Sequence, residues 1–158
     1  MNDSLRTGLT FGLTSAVITT MGLMVGLNSG TRSKMVVLGG ILTIAIADAF
    51  SDALGIHVSE ESENVHTTKE IWGATAVTFL TKCIFALTFT IPVLLFPLSV
   101  AIIINIFWGL TVITVMSYLI ARSQNQKSWK IIGEHLFIAA MVIVITNYVG
   151  ELIGKMGG

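Results

Sequence analysis

The chain is 158 residues long, 53% hydrophobic and only 11% charged, with equal numbers of acidic and basic side chains and a mean hydropathy of +0.84. Soluble domains carry about 25% charged residues, so the composition excludes a soluble domain of ordinary size, and the balanced charge leaves no basic face for nucleic acid. Cys83 is the single cysteine, which excludes an intrachain disulfide framework. The expectation is an all-α, polytopic membrane protein with its spans in the lipid bilayer, and Cys83 reads as a small apolar packing residue.

Five apolar segments, near residues 7–28, 35–57, 71–94, 97–121 and 130–154, are separated by short polar or proline-containing stretches. Each approaches the ~20 residues that cross a hydrocarbon core about 30 Å thick, so the chain reads as a single transmembrane domain. The first segment follows Arg6 and has no clear small-residue cleavage site, so it reads as a retained span rather than a signal peptide. Its Gly8, Gly12 and Ala16, then Gly22 and Gly26, have the spacing that lets membrane helices approach backbone to backbone. That pattern fits a homodimer through the first span, and fits equally well packing against other spans of the same subunit.

The second segment holds Asp48 and Asp52, four residues apart on one helical face. A charged side chain at the bilayer centre costs about 2.5–3.5 kcal/mol even on insertion scales, and like charges at this spacing repel. At least one Asp is therefore expected to hold its proton, or both to share a metal. The alternatives are a position near a helix end in headgroup water, or a structural pairing with Lys82. Ser15, Ser51 and Asn105 are candidates to supply neutral oxygens along an ion path.

Residues 57–70 follow as a short acidic segment containing His57, Glu60, Glu61, Glu63, His66 and Glu70. If the helix runs on past the membrane, His57 with Glu61, Glu60 with Glu63, and His66 with Glu70 fall at spacings that converge on one divalent cation. Otherwise this is an ordinary solvated loop. In the third segment Lys82 either neutralises an Asp or snorkels to the interface, and snorkelling is favoured. Pro92 and Pro97 bracket what reads as a tight turn between spans three and four. In the last span Glu134, His135 and Glu151 read as interfacial, and Asn147 and Tyr148 as candidates for bonds across helices. Met21, Met24 and Met35 read as packing.

Lys and Arg outside the spans number five on the side of the N-terminus (Arg6, Lys69, Arg122, Lys127, Lys130) and three on the other (Arg32, Lys34, Lys155). The excess favours a cytoplasmic N-terminus and an outer C-terminus.

The stretches FGLTSAVITTMGLMVGL (Phe11 to Leu27), IADAFSDALGIHVSEESE (Ile46 to Glu63) and ITNYVGELIG (Ile145 to Gly154), in that order, resemble the vacuolar iron transporter family. Ala47, Asp48 and Ser51, followed by Gly55 and the acidic run, carry its most specific part. The resemblance implies a dimer of five-span subunits that moves ferrous iron or manganese out of the cytoplasm in exchange for protons. Two departures accompany it. Thr14, Ser15 and Ala16 stand where the family has an Asn-Asp-Gly element, and Asp52 stands where it has a methionine. The chain also resembles a short form, lacking the large glutamate-rich cytoplasmic domain.

The resulting expectation is a transporter of divalent transition-metal cations, with a metal site at Asp48 and Asp52 and an entry site at His57, Glu60, Glu63, His66 and Glu70. No resident cofactor is expected; the metal is cargo. The competing expectation is a non-transporting membrane binding or assembly protein whose Asp pair is structural. An enzyme is not expected, because no nucleophile with a neighbouring base, phosphate loop or H-E-x-x-H spacing is present.

Overall fold

A computed structural model describes residues 3–156 as helices joined by tight turns. Their bounds are α1 Asp3–Thr31, α2 Lys34–Glu63, α3 Thr68–Thr88, α4 Thr90–Leu95, α5 Leu98–Ser123 and α6 Ser128–Met156. Taken with α3 and α4 as one unit, five helices are long and apolar enough to cross a membrane. Each begins or ends a few residues beyond its apolar stretch, because the capping groups are polar. Ser33 accepts from the Val36 N–H at the start of α2, and Thr67 and Glu70 form a reciprocal capping box at the start of α3. Three turns each contain one left-handed non-glycine residue, Arg32, Asn64 and Asn125. Asn tolerates that conformation better than most side chains.

No glycine among the described residues has a positive φ, so the glycines of this chain serve close packing rather than turns. The central helix α1 packs against α2, α3, α5 and α6. In its first half, a Cβ on Gly8 would sit 2.5 Å from the Ala74 carbonyl oxygen, and one on Gly12 2.8 Å from that of Thr78. In its second half, Gly22, Gly26 and Gly30 face Val142, Thr146 and Gly150 of α6, and a Cβ on Gly154 would sit 2.8 Å from the Gly30 oxygen. The glycines expected to support a homodimer through the first span are thus occupied by α3 and α6 of the same chain. A side chain at these positions would push the backbones apart.

The core between the helices is apolar and includes Val17, Met21, Met24, Ile41, Phe89 and Ile113. Met21 and Met24 pack there as expected, whereas Met35 is exposed. Outside, α6 buries only Ile131, Ala139 and Gly150 and exposes Phe137, Val144 and Ile153.

The turn expected between Pro92 and Pro97 lies elsewhere. The chain is helical through Leu95, and only Phe96 and Pro97 form the connection. Pro92 sits in the first turn of α4, where a missing N–H leaves no helical bond unmade. The break falls earlier, at Phe89, whose carbonyl accepts from Asn105 Nδ2 at 2.9 Å. Asn105 is fully buried and also donates to Met24 Sδ. It therefore mends a break in α3–α4 and makes no contact with the Asp pair.

Candidate functional site

Asp48 and Asp52 lie mid-way along α2, Lys82 mid-way along the unit formed by α3 and α4, and Ser15 mid-way along α1. At 1.5 Å rise per residue each is about 16–27 Å from the ends of its own helical span. In a membrane-crossing arrangement this depth leaves no headgroup position for the acids. It also excludes snorkelling by Lys82, which is a correction: its side chain is 1% exposed and bridges both carboxylates. Nζ is 2.5 Å from Asp48 Oδ2 and in direct contact with Asp52 Oδ2. Nζ also donates to Ser15 Oγ at 2.8 Å, and Ser15 Oγ donates to Asp52 Oδ2 at 2.6 Å.

The i, i+4 spacing puts both acids on one face of α2, as expected, and Lys82 answers their repulsion. Counted by formal charge, two carboxylates and one ammonium sum to −1. Desolvating such a group is costly, and the cost is offset only when geometry and hydrogen bonds are good. Ser15 supplies one of those bonds from α1.

The two acids have different surroundings. Asp52 is the more enclosed, with a side chain 17% exposed, held by Ser15 and Lys82. Asp48 is 26% exposed and lines an open groove of about 620 Å³ between α1 and α2. The groove runs past Gly40, Thr43 and Ala47 to Val36, near the opposite end of α2 from the acidic segment. Ser51 lines it as well.

The acidic segment does not gather around one point. Helix α2 continues to Glu63, so most of the segment is helix rather than loop. His66 Nε2 lies 3.5 Å from both Glu60 Oε2 and Glu63 Oε2, and its Nδ1 is 3.0 Å from Ser4 Oγ on α1. Glu60 is buried, at 5% exposure. His57 instead pairs with Thr75, Nδ1 to Oγ1 at 2.9 Å, and meets Trp72 edge-on. The Thr75 hydroxyl gives its proton to the Ile71 carbonyl, so it accepts from His57. Glu70 accepts from the Thr67 N–H and hydroxyl as part of the α3 cap. The expected pairs His57 with Glu61 and His66 with Glu70 are therefore replaced by other partners. Among the described residues, no group of three or more His, Cys, Asp or Glu side chains is set to hold a metal ion.

Sequence reasoning undervalued Lys82 and missed Ser4 and Thr75. The signal for Lys82 was present, since a lysine deep in an apolar span needs an anionic partner and α2 offers two. Asn147 does bond across helices, accepting from Ser29 at 2.5 Å and donating to Glu151 at 2.9 Å, while Tyr148 is exposed. Comparison with protein-family models, with curated proteins and with solved structures gives no match for this chain.

Proposed function

We propose that the chain is a multi-pass membrane transporter of divalent transition-metal cations, with ferrous iron or manganese as cargo and protons as counter-ions. The observation that carries this reading is the Asp48–Lys82–Asp52 cluster at mid-depth, open through Asp48 to the α1–α2 groove. Intramembrane ionisable groups facing a cavity mark ion and proton paths in membrane proteins. The family resemblance of the first, second and last spans supports the same cargo.

Lys82 is a tethered cation held between the two carboxylates that a metal would use. A divalent ion that binds them displaces the lysine, which gives up one proton and leaves as a neutral amine. Charge then changes from −1 to 0 at the cluster, so metal arrival and proton release are linked. Reprotonation of Lys82 after the ion leaves restores the resting ion pairs. Glu60 and Glu63 end the same helix, Glu60 being eight residues, or ~12 Å, beyond Asp52, and His66 in the turn that follows lies against both. Their place at the helix end suits them to attract cations ahead of that step. With the N-terminal end in the cytoplasm, as the Lys and Arg excess favours, this direction is export.

A second reading has its own support: the acids are already paired with Lys82 and Ser15, as they would be in an assembly protein where the cluster only locks α1, α2 and α3. Uptake of manganese and ferrous iron by proteoliposomes, with and without an imposed proton gradient, separates the two. Gradient-dependent uptake lost in Asp48→Asn/Asp52→Asn supports exchange. No uptake of either ion by the well-folded wild-type protein would leave the structural reading.

A further inference from the structure

A second cavity, between α1, α5 and α6 at the end that carries the N-terminus, takes no part in the cluster above. It exists because α1 leans on α3 through Gly8 and Gly12 in its first half and reaches α6 only from Gly22 onward. The gap left near the N-terminal end is a crevice of about 620 Å³. Its mouth is formed by Asp3, Arg6 and Gln124, and its floor by Ile18 and Ile113. From Arg6 to Ile18 is twelve residues, or ~18 Å of helix rise. That is close to half of a hydrocarbon core about 30 Å thick, the depth of one leaflet.

Below the mouth the walls offer little to a polar solute. Phe11 and Ile120 are apolar. Thr7, Thr10 and Thr14 donate their hydroxyl protons to carbonyls of α1 itself, at Asp3, Arg6 and Thr10. His135 directs Nδ1 to Ser117 Oγ at 2.7 Å, and that hydroxyl donates to the Ile113 carbonyl. The interior therefore suits a hydrocarbon chain.

The mouth is charged in two senses. Arg6 donates to Ser123 through Nη2, and among the described residues no carboxylate lies within ion-pair distance of it. Its other N–H groups can bind a phosphate, which a guanidinium recognises with paired hydrogen bonds. Asp3, three residues earlier on the same helix, offers a carboxylate that an anionic headgroup would avoid and a primary ammonium would seek.

We propose that this crevice holds one acyl chain of an aminophospholipid from the adjacent leaflet, with the lipid phosphate on Arg6 and its ammonium on Asp3. The proposal rests on the membrane-spanning reading but not on transport. It is tested by native mass spectrometry of the detergent-purified full chain titrated separately with phosphatidylethanolamine, phosphatidylglycerol and phosphatidylcholine. The expected result is one phosphatidylethanolamine bound about ten-fold more tightly than either other lipid, about 1.4 kcal/mol. Arg6→Gln weakens that binding about ten-fold, and Asp3→Asn removes the preference over phosphatidylcholine. Ile120→Trp, which fills the crevice, lowers occupancy of all three lipids. Equal affinity for the three lipids in the wild-type chain, tighter binding of phosphatidylglycerol, or unchanged binding in Arg6→Gln overturns the proposal. Partition of the expressed chain into the soluble fraction would instead defeat the membrane-spanning reading on which it rests.

Discussion

Lys82 is the residue on which the buried charge depends. Removing one partner from a buried ion pair costs about 3–5 kcal/mol because the remaining charge is left uncompensated, whereas removing all partners together is often neutral. Lys82→Met is therefore expected to lower the thermal midpoint of the detergent-solubilised protein sharply. Asp48→Asn/Asp52→Asn/Lys82→Met should recover most of that loss, and a triple variant no more stable than Lys82→Met would contradict the ion-pair account. At the same scale, Asn105→Leu strands the Phe89 carbonyl and should cost about 1–3 kcal/mol, read in the same unfolding measurement. The Asp pair was legible in the sequence because charge inside an apolar run stands out. The lysine's need for an acid was legible too, but not its bridging of both, because spacing within α3 does not say which face turns toward α2. Of the candidate ion-path oxygens, Ser15 lies against Asp52, whereas Asn105 lies away from the acids, since a break in α3–α4 is invisible until the helices are packed.

At the scale of elements, the two halves of α1 are held by different helices through the same device of close glycine contact. Gly150 shows it most clearly, since a Cβ there would run into the Gly26 carbonyl and the Ser29 side chain. Gly150→Leu is expected to separate α1 from α6 and to reduce the yield of monodisperse protein in size-exclusion chromatography. Gly55, by contrast, has nothing within 4 Å of the Cβ position. Gly55→Ala should stabilise α2 by up to about 1 kcal/mol through helix propensity alone, and a loss of stability there would mean that another surface covers this face. The sequence made the glycine spacing plain but left its partner open, because small residues at every fourth position serve contacts within and between chains alike. The acidic segment shows a similar limit. Helical spacing named the partners available to Glu60, Glu63, His66 and Glu70, but the Thr67 cap drew Glu70 away and the packing of α1 brought Ser4 to His66.

Across the whole molecule, five apolar units in alternating directions put the N- and C-terminal ends on opposite faces. Ser4 beside His66 and Arg6 beside Ser123 mark one face; Ser29 beside Asn147 and Lys34 beside the Leu94 and Phe96 carbonyls mark the other. Single cysteines at Gln126 and Gly154, in a Cys83→Ala background, should label from opposite sides of sealed vesicles with a membrane-impermeant maleimide; labelling from one side would contradict the five-span topology. Composition made the number of apolar helices legible, since runs of this length have few other uses. Which acid opens to a groove was not legible, because it depends on how α1 and α2 diverge.

The most direct test of the central claim is the number of protons released per metal ion bound by purified protein, measured by calorimetry in buffers of different ionisation enthalpy with manganese as the probe. Displacement of Lys82 by the metal predicts release of about one proton per bound ion in the wild type, and loss of that binding in Asp48→Asn/Asp52→Asn. Manganese binding without proton release, or binding and release unchanged in the double variant, would contradict a Lys82-gated carboxylate site.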